Sequence, residues 1–191
     1  MMKPKLLWAI LILTLGGVVI VFVLNQHPKS PLPFYGRVAD FTLTDRSGQP
    51  ISLKDLKGEI WIAYFIFTHC AGQCPMMSRQ MSQLQKKLPP TIPLVSFTVD
   101  PTRDTPEILS GYAKTYHAQE GHWFFLTGDK ETLNRLTTSF YMNTLEDPNM
   151  HSLRFVLVDG KAQIRGYYDG TDESAIQKLM NDAKRLSRNE E

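Results

Sequence analysis

The stretch IWIAYFIFTHCAGQCPMM, Ile60 to Met77, carries the decision about the fold. Ile60 to Phe67 is a continuous apolar run rich in β-branched and aromatic residues, the pattern of a strand buried on both faces. The run leads directly into Cys70 and Cys74. From Pro75 a helical period takes over, with Met77, Met81, Leu84 and Leu88 on one face and Arg79, Gln83 and Lys86 on the other, until Pro89-Pro90 stops it. A buried strand therefore turns into an amphipathic helix at a pair of cysteines.

Working outward, FTLTDRSGQPISL from Phe41 alternates apolar and polar around Ser47-Gly48 and predicts a hairpin, and Leu53 to Gly58 predicts a short helical turn. A second apolar run, Ile92 to Val99, leads to Asp100. Thr105, Pro106 and Glu107 are the N-cap, first helical position and first-turn acid of a helix running to about Tyr116. Trp123 to Leu126 predicts a strand, Gly128-Asp129 a turn and cap, and Lys130 to Tyr141 a helix. LRFVLVD and AQIRGYYDG predict a hairpin about Gly160-Lys161, followed by a helix over Thr171 to Leu186. This order implies an α/β fold with a mixed sheet flanked by helices. Parallel strands with an antiparallel hairpin at one end make a thioredoxin-like arrangement.

The chain has 191 residues, and Leu6 to Leu24 is a run of nineteen without a charge. Such a run is long enough to span a bilayer and longer than the usual secretory apolar core of about 7 to 15 residues. The next residues, NQHPKSPLP, hold no small-x-small cleavage site and no cysteine to carry a lipid, which favours an uncleaved signal anchor over a removed signal peptide. The expected organisation is a membrane anchor at 1–24, a Pro-rich linker at 25–39 and one domain at 40–191. Lys3 and Lys5 mark the cytoplasmic side, so the domain is expected in an oxidising compartment beyond it. The N-terminus lacks an Arg- and Ser-rich presequence, which points to a single-pass protein of a bacterial inner membrane with its C-terminal domain in the periplasm. Past Leu24 there are 19 basic and 19 acidic residues, a balance that speaks against a globally basic nucleic-acid binder. At 42% hydrophobic residues the chain is not a disordered one.

The chemistry lies in CAGQC. Active sites of open α/β sheets lie beyond the carboxyl ends of the parallel strands, and a helix N-terminus stabilises a thiolate. Three readings compete. A structural disulfide closing so short a loop contributes only about 2 kcal/mol, against about 4.7 for a loop of a hundred residues. A redox dithiol is a serious rival. The third reading is a metal site, in which a further ligand comes from the same sheet edge. His151 precedes LRFVLVD and falls there if that strand runs antiparallel, although a lone histidine before a strand is more often a polar loop residue. Two cysteines and a histidine suit Cu(I) and leave room for Cu(II), and zinc also accepts this set.

FTHCAGQCPMM (Phe67 to Met77), TVDPTRDTPEIL (Thr98 to Leu109), FFLTGD (Phe124 to Asp129) and HSLRFVLVDG (His151 to Gly160) together resemble the SCO1/SenC family of membrane-anchored, thioredoxin-like copper proteins. The resemblance runs from about Asp40 to Tyr168. Its opening part, through Gly58, is shared with peroxiredoxin-like relatives and specifies only the superfamily. The Cys-x-x-x-Cys-Pro and Asp-Pro-x-Arg-Asp-Thr-Pro motifs with the later histidine are more specific. The resemblance implies copper bound by Cys70, Cys74 and His151, and a role in assembling the copper site of a respiratory cytochrome oxidase, with thiol redox activity as the alternative. It implies as partners the copper-bearing oxidase subunit and other copper chaperones or thiol reductants. Two departures stand out: Ala71-Gly72 where many members have proline after the first cysteine, and Met150 where many have aspartate before the histidine. Neither removes a ligating atom.

Asp100, at the end of a strand near the presumed site, is expected either to orient a ligand or to cap its turn, and Asp104 to cap the turn. Met77 and Met81 read as core sulfurs, His69 as a neighbour of Cys70, and His117 and His122 as solvated loop residues. Two functions from different classes are in contention: a copper metallochaperone without turnover of its own, and a thiol-disulfide oxidoreductase that reduces the cysteines of a client copper site. A thiol peroxidase is disfavoured, because nothing before Cys70 resembles the Pro-x-x-x-Thr-x-x-Cys loop of those enzymes.

Overall fold

The computed structural model describes residues 31–140 and 153–188. Within them lies one eight-stranded sheet in the order β1-β8-β7-β4-β5-β6-β2-β3. The strands are β1 (Gly36–Arg37), β2 (Thr42–Asp45), β3 (Pro50–Ser52), β4 (Trp61–Ile66), β5 (Leu94–Thr98), β6 (Trp123–Thr127), β7 (Arg154–Val158) and β8 (Gln163–Asp169). The helices are α1 (Gln73–Lys87), α2 (Pro106–Thr115), α3 (Lys130–Ser139) and α4 (Glu173–Ser187), with a 3-10 turn at Leu53–Leu56. β4, β5 and β6 are parallel, and an antiparallel hairpin extends the sheet on each side, β7/β8 beside β4 and β2/β3 beside β6. The expected hairpins both form, one at each end of the parallel core rather than at one end only.

β4 is fully buried because alternate residues feed two cores. Ile62, Tyr64 and Ile66 join Leu94, Phe125 and Phe155 beneath α1, α2 and α4, whose Met77, Met81, Leu109 and Leu179 complete that layer. Trp61, Ala63 and Phe65 face the opposite layer with Phe97, Val156, Phe41 and the α3 side chains Leu133 and Leu136. Met77 and Met81 are thus core residues, as their helical spacing implies. Gly170, just past β8, allows α1 to approach closely: a Cβ there would collide with the Met77 sulfur.

The helix starts obey their capping chemistry. Thr105 accepts from the Ile108 amide and Asp129 from the Thr132 amide. The Ser47-Gly48 turn forms with Gly48 at φ +81°, a conformation that favours glycine. The compact unit starts at Leu32, within the stretch expected as linker, and β1 pairs antiparallel with β8, Gly36 opposite Ile164. Leu32 and Val38 are buried, and Arg165, paired with Asp159, donates to the carbonyls of Leu32 and Pro33. Among the described residues no helix is long and apolar enough to cross a membrane. The expected anchor at 1–24 lies outside them.

Candidate metal and thiol centre

β4 delivers the chain to the carboxyl edge of the sheet, and the turn after it is closed by the Cys70 amide, which donates to the Phe67 carbonyl at 3.3 Å. α1 starts at Gln73, two residues before the helical period becomes visible in the sequence. Cys74 therefore sits inside the first turn. The amides of Gly72, Gln73 and Cys74 at this helix start favour the thiolate form of Cys70. The two sulfurs are in hydrogen-bonding contact, and both residues are thiols in this structure.

The same geometry makes the two thiols unequal. Partial burial pushes the Cys70 thiol up, but the amides at the helix start and the Cys74 side chain outweigh it and hold the pKa below the ordinary thiol value. Burial pushes the Cys74 thiol up to about 12, with the Cys70 contact adding to the shift and the Phe67 amide opposing it. Cys70 is partly exposed and Cys74 is fully buried in the aromatic layer, so an incoming electrophile or metal meets Cys70 first. The Tyr64 hydroxyl, buried on β4, donates to the Cys74 carbonyl at 3.1 Å and ties the first turn of α1 to the sheet.

Asp100 lies two residues past the end of β5, and its carboxylate belongs to its own turn. Oδ2 accepts from Arg103 Nε at 2.6 Å and Oδ1 from the Thr102 hydroxyl at 2.9 Å. These are the contacts of a turn cap, one of the two uses expected for Asp100. The carboxylate that reaches the cysteine segment is Asp104, which is fully buried and bonded to Thr68, two residues before Cys70. Its expected role as a turn cap understates it, because a sequence pattern carries no sign of a contact 36 positions away. His69 is exposed, with Nδ1 at 3.1 Å from the Thr68 hydroxyl. His122 corrects an expectation: it is buried rather than solvated, and burial holds its pKa below the usual imidazole range.

His151 lies outside the described residues. β7 runs antiparallel to β4, with Ala63 opposite Val156, so β7 begins at the end of the sheet where β4 finishes. Among the described residues no group of three or more His, Cys, Asp or Glu side chains is placed to hold a metal, so Cys70 and Cys74 make a two-sulfur site there. What they offer is two soft donors at a helix N-terminus, one readily deprotonated and one held as a thiol until a proton is displaced. That chemistry serves either a soft metal or a disulfide exchange.

The SCO1/SenC family model matches residues 34–187. The chain is 32% identical over 184 residues to the SCO1 protein homolog of Bacillus subtilis, covering 90% of this chain and 94% of that one. It is 33% identical to a Stutzerimonas stutzeri protein whose name designates it copper-binding, over 76% of this chain and 75% of that one. The solved structure of BsSco superposes with a TM-score of 0.73 at 32% identity, over 85% of this chain and 99% of that one. BsSco is a member of the Sco family of cytochrome c oxidase assembly proteins in which a disulfide switch has been identified. A family match that begins in the N-terminal segment packed on β8 and ends in α4, together with these relatives, decides the question of kinship: this chain belongs to the SCO1/SenC family.

Proposed function

We propose that this chain is a copper metallochaperone. Its folded part, held in the periplasm by a single-pass N-terminal helix in a bacterial inner membrane, takes up one copper ion through Cys70, Cys74 and His151. It then delivers the ion to the copper-bearing subunit of a cytochrome c oxidase during assembly. The observation that carries this reading is the two-sulfur centre at the start of α1, where one thiol is lowered and the other is masked by burial. A copper-binding relative and an oxidase-assembly relative support it. The β7 strand, which starts at the same sheet edge three residues after His151, is consistent with a third ligand from that side.

Uptake of Cu(I) by two thiolates must expel protons, and the count is set by the thiols. Below about 12 Cys74 carries its proton, so at least one proton leaves for every copper bound. A competition titration of the reduced full-length chain in detergent should therefore show apparent Cu(I) affinity falling at least about tenfold for each unit the pH is lowered between about 8 and 6. A pH-independent affinity over that range would mean that Cys74 is not a ligand.

The test of the function is His151→Ala. The substitution removes an imidazole and leaves the dithiol intact, so Cu(II) affinity should fall at least about tenfold, a loss no smaller than that of an outer ligand partner. Oxidase activity in a strain deleted for the gene should fall with it. If the variant at native expression restores oxidase activity as fully as the parent, transfer is not the function.

The unequal thiols favour a second reading in that event, a thiol-disulfide oxidoreductase that reduces the cysteines of the client's copper site. Cys70 is then the attacking thiolate and Cys74 the thiol that resolves the mixed disulfide. This exchange needs neither His151 nor copper.

A further inference from the structure

The segment between β4 and Cys70 is held from one side by a single buried carboxylate. Asp104 accepts from the Thr68 amide at 3.2 and 3.3 Å, from the Thr68 hydroxyl at 2.5 Å through Oδ1, and from the Thr98 hydroxyl at 2.6 Å through Oδ2. Thr98 closes β5 and accepts in turn from the Asp100 amide. The Thr68 hydroxyl has one proton, which goes to the carboxylate, so the His69 ring nitrogen beside it is the donor in their contact. Three donors thus converge on one fully buried acid, and two of them belong to the residue two positions before Cys70. Such an arrangement is costly to bury unless every bond is made.

We propose that Asp104 is the positioning residue of the dithiol: through Thr68 it fixes the segment that carries Cys70 against the first turn of α1, keeping the two sulfurs within reach of each other. The inference rests on the cysteines working as a pair, which both functional readings share, and it needs no metal. The relevant exchange is the disulfide of Cys70 and Cys74 with two glutathione molecules. The protein S–S bond breaks, glutathione disulfide forms, and two electrons and two protons pass to the cysteines. Its equilibrium constant measures the effective concentration of one sulfur at the other. A loosened segment lowers that concentration and makes the disulfide easier to reduce.

Asp104→Asn is the first variant, since it keeps volume but offers one acceptor oxygen to three donors and turns an amide toward a donor. Thr68→Val is the second, removing the hydroxyl while leaving the carboxylate charge in place. Ile176→Ala, on α4 beside Gln80, Gln83 and Leu84 of α1 rather than beside its first turn, is the control for loss of stability without change at the junction. The full-length chains are equilibrated in detergent, free of metal, with glutathione buffers and quenched for mass spectrometry, and thermal melts are recorded alongside. Asp104→Asn should shift the equilibrium at least threefold toward the dithiol, Thr68→Val should shift it in the same direction, and Ile176→Ala should lower the melting temperature with no shift. A shift below threefold in Asp104→Asn, an equal shift in Ile176→Ala, or a parent that forms no disulfide overturns the proposal. Should Asp104→Asn fail to fold, Thr68→Val decides by the same threefold criterion. Failure of the copper reading leaves this result untouched, because no copper enters the measurement.

Discussion

Cys70→Ser should leave the protein unable to bind stoichiometric Cu(I) and unable to form a mixed disulfide, whereas Cys74→Ser should lose copper but accumulate the mixed disulfide. The difference stems from acidity and exposure. Cys70 sits at the helix start with its pKa lowered by three backbone amides and is partly exposed, so on the proposed readings its thiolate would be both the first ligand and the attacking group. Cys74 is fully buried and carries a pKa of about 12, so alone it remains a thiol at neutral pH and meets no partner. Serine oxygen is a poor substitute for either, being hard and protonated, and Cu(I) selects soft donors. Copper per chain after dialysis should fall from one to near zero in both variants. Incubation with an aromatic disulfide should then release about one thiol equivalent from the Cys74→Ser protein and almost none from Cys70→Ser. Equal reactivity of the two variants would show that the thiols are not differentiated as their surroundings imply.

Phe97→Ala should be the most destabilising single truncation on the α3 side of the sheet, about 3 to 5 kcal/mol by chemical denaturation of the reduced protein. Phe97, the fourth of the five residues of β5, is fully buried and is in ring contact with four neighbours. It stacks on Phe65 at 5.5 Å between centroids and meets Phe41, Trp61 and Phe140 at 5.4, 6.3 and 6.0 Å. Removing the ring opens a cavity that rigid aromatic neighbours on β4, just before β2 and at the end of α3 cannot close, which places the cost at the upper end for a core residue. With a typical total stability of about 5 to 15 kcal/mol, such a loss takes a large share of the fold. The denaturation midpoint should drop with an unchanged slope. A loss below about 1 kcal/mol would mean that the layer between the sheet and α3 repacks freely, contrary to the density of its ring contacts.

Much of this protein is legible in its sequence, for a local reason. The apolar run before Cys70 predicts β4, the period after Pro75 predicts α1, and Thr105 and Asp129 mark helix starts, because each signal involves residues within a few positions of one another. The cysteine pair and its place between strand and helix are equally local. The motifs from Phe67 to Gly160 identify the family, and the match to residues 34–187 agrees with them.

Other features depend on groups far apart in the chain, and only the tertiary structure decides them. β1 is two residues long in a Pro-rich segment without periodicity; the edge of β8 pairs with it, and Arg165 holds the preceding Leu32 and Pro33, all more than a hundred positions away. His122 reads as a loop residue and is buried, since burial depends on what folds over a position and not on its neighbours in sequence. Asp100 and Asp104 stand in one motif with the same side chain. One pairs with Arg103 within its own turn and the other reaches Thr68, a division set by which carboxylate faces the end of β4. The two cysteines are likewise identical as letters. Their acidity separates only when one sulfur meets the amides of a helix start and the other is sealed beneath aromatic rings, because a pKa reports the solvent and dipoles that a folded environment supplies.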